Sequence, residues 1–219
     1  MGAYHAVTRA DMTPDPRPEP PTPILSLSDE DLMARAADDD TKAFTELVRR
    51  YQSRVIHLVS RLLNDRVVSE DLAQEVFVRV HLHRKNYRTG SKFSTWLFTI
   101  AANLAKNEIR RRKRRRNWTS LDEMQEQLQD ASMQFADPKA NKEVDLERAQ
   151  LSGVVGAAIA TLPERYRVAL VLRDIDGLAY EEIGQILKIP GGTVRSRINR
   201  ARLMLKRKLE PMLRREALE

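Results

Sequence analysis

Apolar residues in this chain return at every third or fourth position over long stretches, and that spacing restricts the fold more than any other feature. Phe44, Leu47, Val48, Tyr51 and Val55 follow it, as do Leu72, Val76 and Val80. A helix turns about 100° per residue, so such positions gather on one side; a half-buried strand would alternate at every second residue. No segment keeps that alternation for long. Only eight glycines occur in 219 residues, and little interrupts the helical pattern. The sequence predicts an all-α fold.

Composition then divides the chain. Prolines at 14, 16, 18, 20, 21 and 23 each remove a backbone donor, so residues 1–26 are expected to form an extended, disordered arm. From Ser28, the run SDED reads as a helix cap with acids in the first turn, and helical patterning continues to about Arg116. The charge then reverses. Asp122, Glu123, Glu126, Asp130, Asp137, Glu143, Asp145 and Glu147 stand against Lys139 and Lys142 alone. With Pro138 inside and weak periodicity, 117–147 reads as an acidic linker with a helical turn around LDEMQEQL. A second helical unit spans 148–219. In it Thr161-Leu-Pro-Glu164 reads as a capping-box start with proline in the first turn, and Gly177 ends the helix that follows. Two small helical domains, 27–116 and 148–219, are expected.

Lys and Arg number 38 against 31 Asp and Glu, a formal charge of +7. Such a balance points to a polyanionic partner, either nucleic acid or an anionic membrane surface. The chain has no cysteine, which rules out disulfides and thiolate zinc sites and fits a reducing cytoplasm. No apolar run approaches the roughly 18 residues of a membrane span, and no cleavable signal is visible; a soluble, cytoplasmic protein without membrane insertion is expected. His5, His57, His81 and His83 form no metal constellation, Asp38–Asp40 reads as a helix-end loop, and Walker A spacing is absent. No catalytic role, metal, cofactor or small-molecule substrate is expected.

Three stretches carry chemistry. The first is PGGTVRSRINRAR, which follows the short amphipathic run YEEIGQIL. A short helix, a turn at Pro190 and Gly191, then a longer helix make a helix-turn-helix. In the second helix Val194, Ile198, Ala201 and Leu205 form a narrow stripe, which turns Ser196, Asn199 and Arg200 outward with Arg195 and Arg197 on the flanks. Arg can bond guanine in pairs and Asn adenine. No acid occurs between Arg195 and Lys208, whereas a merely solvated face usually mixes signs. The Gly191-Gly192 start also offers backbone N–H groups to a phosphate.

The second stretch is FSTWLF continuing into NLAKNEIRRRKRRRNW, with seven basic residues from Arg110 to Arg116. Trp96, Asn103 and Asn107 share one flank beside the stripe Phe93, Leu97, Ile100 and Leu104. Basic charge beside an aromatic and two amides suits a strand with unstacked bases, although Trp96 by itself reads as a core residue. The third is DLAQEVFVRVH. There Leu72, Val76 and Val80 face inward and turn Asp71, Gln74 and Glu75 outward, a small acidic patch suited to docking a protein rather than DNA.

In this order and spacing, DLAQEVF, FSTWLFTIAANLAKNEIRRR, LPERYRVALVLRDIDGLAYEEIGQIL and PGGTVRSRINRAR resemble the extracytoplasmic-function group of bacterial sigma factors, most closely its sigma-E-like stress-response members. The resemblance covers residues 27 to 215. It implies a two-domain factor that brings core RNA polymerase to promoters and promotes melting at −10, under control of an anti-sigma factor. Asp71, Gln74 and Glu75 would dock on the β′ clamp, and the C-terminal domain would meet the β flap. Trp96, Asn103 and Asn107 would lie at the melted −10 strand, with Lys106 and Arg110 on its phosphates. Arg195, Ser196, Arg197, Asn199 and Arg200 would read the −35 duplex. The alternative is a conventional helix-turn-helix regulator of duplex operators. Such a protein needs a sensor or dimerisation domain, and 27–116 shows neither a ligand-pocket pattern nor sustained heptads.

Overall fold

The computed structural model describes residues 23–88, 90–119 and 152–216, the side chains of 116–119 and 212–216 excepted. Among the described residues every regular element is helical. Local capping sets where the first three helices begin. The Ser28 hydroxyl accepts from the Asp31 N–H at 3.0 Å, starting α1 (Asp29–Ala37). The Asp40 carboxylate accepts from Lys42 and Ala43, starting α2 (Thr41–Leu63). Asp65 accepts from Val68, starting α3 (Arg66–His83). Each oxygen satisfies N–H groups that the first helical turn leaves without a partner. The chain reverses between these helices at Asp39 and Asn64, both left-handed (φ 69° and 53°).

The long helix α4 (Phe93–Thr119) lies against α2 and α3. Leu47, Val55, Leu58 and Leu62 of α2, Val76 and Val80 of α3, and Phe93, Leu97 and Phe98 of α4 are fully buried together. Ala101, Ala102 and Ala105 are fully buried too, and their small side chains let the α4 backbone approach its neighbours closely. Residues 24–26, counted with the arm above, form a short 3-10 turn held by Arg50, which donates to the carbonyls of Leu25 and Leu27. Helix α4 runs to Thr119, three residues into the stretch read as linker. Residues 1–22 and 120–151, with the turn expected around LDEMQEQL, lie outside the described residues.

The second unit holds α5 (152–160), α6 (Glu164–Leu170), α7 (Tyr180–Leu187) and α8 (Gly191–Glu216). The capping box expected at Thr161 does not form. Its hydroxyl donates to the Ala158 carbonyl at 2.7 Å and closes α5, while Pro163 (ψ 138°) caps α6 without a side-chain bond. Proline at 163 disfavours the helical region for Leu162, and because Pro163 is itself extended, α6 begins at Glu164. Helix α6 then widens into a π turn, Val171–Ile175, where the Asp176 N–H reaches Val171 O at 3.1 Å and that of Leu178 reaches Leu172 O at 3.0 Å. Gly177 (φ +72°) supplies the left-handed step that leads out of it. The Glu182 carboxylate accepts from the Ala179 N–H at 2.9 Å and opens α7. Helix α8 stands on Val194, Ile198 and Ala201, all fully buried.

The two units pack together. Arg61 of α2 donates to the Ser152 hydroxyl at 3.0 Å, and Arg167 of α6 donates to the Leu62 carbonyl at 2.6 Å. One apolar cluster continues from Leu62 through Ile159 and Leu162 to Ile183 and Ile198.

Candidate nucleic-acid interface

The helix-turn-helix is α7 and α8. Lys188 turns the chain in the left-handed region (φ 54°), and the Ile189 N–H returns to the Gly184 carbonyl at 3.0 Å. A Cβ at Gly184 would lie 3.0 Å from the Ile189 oxygen, closer than ordinary van der Waals contact, so glycine suits this tight turn. With its apolar stripe inward, α8 exposes Arg195, Ser196, Asn199 and Arg200, and Arg197 is half-buried. Several of these groups are already held. The Arg195 guanidinium lies 5.9 Å from the Tyr180 ring, against which Arg173 also stacks at 4.8 Å. Ser196 donates to the Thr193 carbonyl, which leaves its oxygen as an acceptor. Arg200, and then Arg165, hydrogen-bond Tyr166 and hold its hydroxyl below the usual phenol range. Arg202 is committed to Asp174 at 2.5 Å, so the fourth arginine of the run braces the unit.

On α4, Asn103 and Asn107 are exposed, as the helical spacing requires. Trp96 is half-buried, tilted against Tyr87 at 5.3 Å and edge-on to Phe93 at 6.3 Å. It is therefore both part of an aromatic cluster and part of the surface. Burial pushes the Lys106 ammonium below its ordinary range, the nearby Glu164 partly offsets this, and Arg110, Arg197 and Lys188 add to it. Arg110 pairs with Glu164 at 3.1 Å. The run from Arg110 to Arg116 is not one uniform basic patch. Arg111 and Arg112 both bind the buried Glu108, and Arg112 also reaches Asp65 at 2.8 Å. Asn107, Arg110, Lys113 and Arg114 line a separate hollow of about 570 Å³.

Asp71 and Gln74 of α3 are exposed, and Glu75 is half-exposed in an ion pair with Arg79 at 2.7 Å. Beside them lies a groove of about 600 Å³, walled by Phe44, Val48 and Ile56 of α2 and by Phe77, Val78 and Leu82 of α3. Sequence reasoning missed this groove. Val78 and Leu82 fall outside the inward stripe of α3, and that placement was the available signal.

A second cleft, of about 740 Å³, also went unread. Tyr87, Lys92 and Trp96 form one wall and Glu181, Glu182 and Gln185 of α7 the other. The aromatic and basic loop RKNYRTGSK before α4 marks the first wall in the sequence, while nothing local marks the second. Among the described residues no cluster of three metal-ligating side chains occurs, and no helix is long and apolar enough to cross a membrane.

The family model for sigma-70 region 2 matches residues 47–115, and that for sigma-70 region 4 matches 152–205. The chain is 39% identical over 194 residues to the ECF RNA polymerase sigma-E factor of Escherichia coli, covering 86% of this chain and 98% of that one. It is 36% identical over 186 residues to the RNA polymerase sigma-H factor of Pseudomonas aeruginosa, covering 85% and 96%. In fold it resembles the sigma factor RpoE of Bartonella quintana, solved with the anti-sigma factor NepR (21% identity, TM-score 0.61, covering 78% of this chain and 98% of that one). It resembles equally CnrH, solved with the cytosolic domain of CnrY (21% identity, TM-score 0.61, covering 84% and 97%).

Proposed function

The chain belongs to the extracytoplasmic-function sigma factors, and on that premise we propose how its three faces share the work of initiation. The outward face of α8 reads the −35 duplex: Arg195, Arg197 and Arg200 supply guanidinium forks, Asn199 a bidentate amide and Ser196 an acceptor. Trp96, Asn103 and Asn107 of α4 hold the melted −10 strand, with Lys106 and Arg110 on its phosphates. Asp71, Gln74 and Glu75, beside the α2–α3 groove, dock on the β′ clamp of core RNA polymerase, and the second unit meets the β flap. An acidic patch next to exposed apolar side chains suits a protein surface and would repel a phosphate backbone. The chain acts in the cytoplasm and leaves phosphodiester chemistry to the polymerase. An anti-sigma factor that covers both units would hold it inactive until a stress signal arrives.

One observation carries this reading. The recognition helix stands on a fully buried stripe, Val194, Ile198 and Ala201, which leaves Arg195, Ser196, Asn199 and Arg200 exposed and Arg197 half-buried. A run-off assay with core polymerase on a promoter library tests the whole assignment. Specific start sites are expected only when this chain is added. Equal transcription with and without it would leave the conventional duplex-binding regulator as the better account.

A further inference from the structure

Four cations converge where α4 meets the second unit. Lys106 and Arg110 belong to α4, Lys188 closes α7, and Arg197 belongs to α8. Lys106 and Arg197 are half-buried, and Lys188 is exposed. Burial, partly offset by Glu164, holds the Lys106 ammonium below its ordinary range, and the charges of Arg110, Arg197 and Lys188 lower it further. Three cations thus lie within electrostatic reach of a partly desolvated fourth, with one carboxylate among them. That carboxylate is loosely engaged. Glu164 accepts from Arg110 at 3.1 and 3.4 Å, longer than the roughly 2.7–2.9 Å of a tight charge-assisted bond, and it leaves Arg110 with N–H groups to spare. Among the described residues Arg110 is the one member of the four in an ion pair. Packing of the two units, held by their shared apolar cluster, therefore gathers like charges at a cost in free energy. Beside them opens the hollow of about 570 Å³, lined by Asn107, Arg110, Lys113 and Arg114 and by no acid.

We propose that this seam between α4 and the α7–α8 turn is a site for a small polyphosphate anion, seated on Lys106, Arg110, Lys188 and Arg197 and reaching into the adjoining hollow. Arginine offers paired donors to phosphate oxygens, and lysine a compact charge. A single phosphate group carries only about −1.5 to −2 near pH 7, too little for four cations and one carboxylate. Two or three joined phosphoryl groups suit both the charge and the length of the seam. Inorganic tripolyphosphate and the triphosphate tail of a nucleotide share this chemistry. The bound anion turns a repulsive contact between the units into an attractive one and adds to the apolar packing. Lys106, Arg110 and Arg197 are also cations assigned above to promoter DNA, so an occupied site withdraws them from it. That consequence rests on the sigma-factor reading; the binding itself does not.

Calorimetric titration of the full chain with sodium tripolyphosphate at constant ionic strength reads the affinity, and a thermal melt reads its coupling to folding. Binding should saturate and raise the melting midpoint more than sulfate does. Lys106→Gln in the first unit and Lys188→Asn in the second should each weaken binding about tenfold. Asparagine suits position 188 because it tolerates the left-handed backbone there. Without the anion, Lys106→Gln should melt above the parent, since it removes a repelling charge; with saturating anion its gain should be the smaller. Lys42→Gln, at an exposed lysine of α2 outside the cluster, should change neither reading. ATP without magnesium separates the sources: equal affinity assigns the triphosphate tail, and weaker binding assigns the inorganic chain. Binding that falls in Lys106→Gln but not in Lys188→Asn would place the anion on one unit and overturn the bridge. Affinity no greater than that of sulfate would overturn the site, as would a single-stranded oligonucleotide bound as tightly and lost equally in Lys188→Asn. Run-off transcription without tripolyphosphate stands apart from these readings. Its failure would sink the sigma-factor assignment and leave the anion site standing.

Discussion

At Asp176, burial pushes the carboxyl up from its ordinary 3.8 to about 7, and the Arg54 guanidinium on α2 offsets only part of that shift. Its Oδ2 is buried without a hydrogen-bond partner. Below pH 3.8 the group is protonated in both folded and unfolded chains and costs nothing. Between 3.8 and about 7 the folded chain keeps a proton that the unfolded chain has lost, so each unit of rising pH removes up to about 1.4 kcal/mol of stability. Above pH 7 the loss is complete. Asp176→Asn should therefore raise the midpoint of urea unfolding at pH 8 and leave it unchanged at pH 3.5. An equal gain at both pH values would mean that the carboxyl is not the source. Glu46 has the opposite sign. Hydrogen bonds from Arg49 and then Arg50 hold it down to about 2, so its contribution is present above pH 4.5 and fades as the pH falls towards 2.

Among the elements, the α7–α8 turn makes the most exacting demand on sequence. Alanine at Gly184 would favour the helix by about 1 kcal/mol, but its Cβ would press on the Ile189 carbonyl at 3.0 Å. A backbone oxygen fixed in a tight turn cannot swing aside as a side chain can, and overpacking of this kind costs about 1–3 kcal/mol. Gly184→Ala should lower thermal stability slightly and duplex −35 binding strongly, because α8 is displaced relative to α7. Fluorescence anisotropy and a thermal melt on the same variant distinguish the two effects, and intact duplex affinity would show that the turn tolerates a methyl. The elements that sequence made legible are those whose signal is periodic. Val194, Ile198 and Ala201 share a stripe that can only face inward, and Asn103 and Asn107 fall outside the α4 stripe and are exposed. The capping box at Thr161 was misread because its four-residue pattern does not show that Pro163 delays the helix. The π turn at Val171–Ile175 adds a residue without disturbing any local pattern. Lys92 and Glu182 meet across 90 residues, and no spacing rule reaches that far.

For the whole molecule, the shared apolar cluster makes the two units one folding body. Arg61 is the clearest link: a half-buried guanidinium on α2, pushed below its ordinary range by burial and bound to Ser152 of α5. The parent should unfold in one calorimetric transition, with equal calorimetric and van't Hoff enthalpies. Arg61→Ala should separate or broaden that transition; a single sharp one, merely shifted, would place the coupling in the apolar contacts alone. Helix α4 passes through this body and beyond it. Its 27 residues extend about 40 Å, yet its fully buried side chains lie between Phe93 and Ala105. In mechanical terms it is a cantilever, with its root set among aromatic rings and its loaded end basic. Two stays brace the free half: Arg112 to Asp65 within its own unit, and Arg110 to Glu164 across the gap. Releasing the second stay leaves the first in place, and a tilt of about 5° at the root then carries the tip roughly 3 Å over that length. A beam held in this way can swing at its tip while the ring contacts at its root stay nearly still.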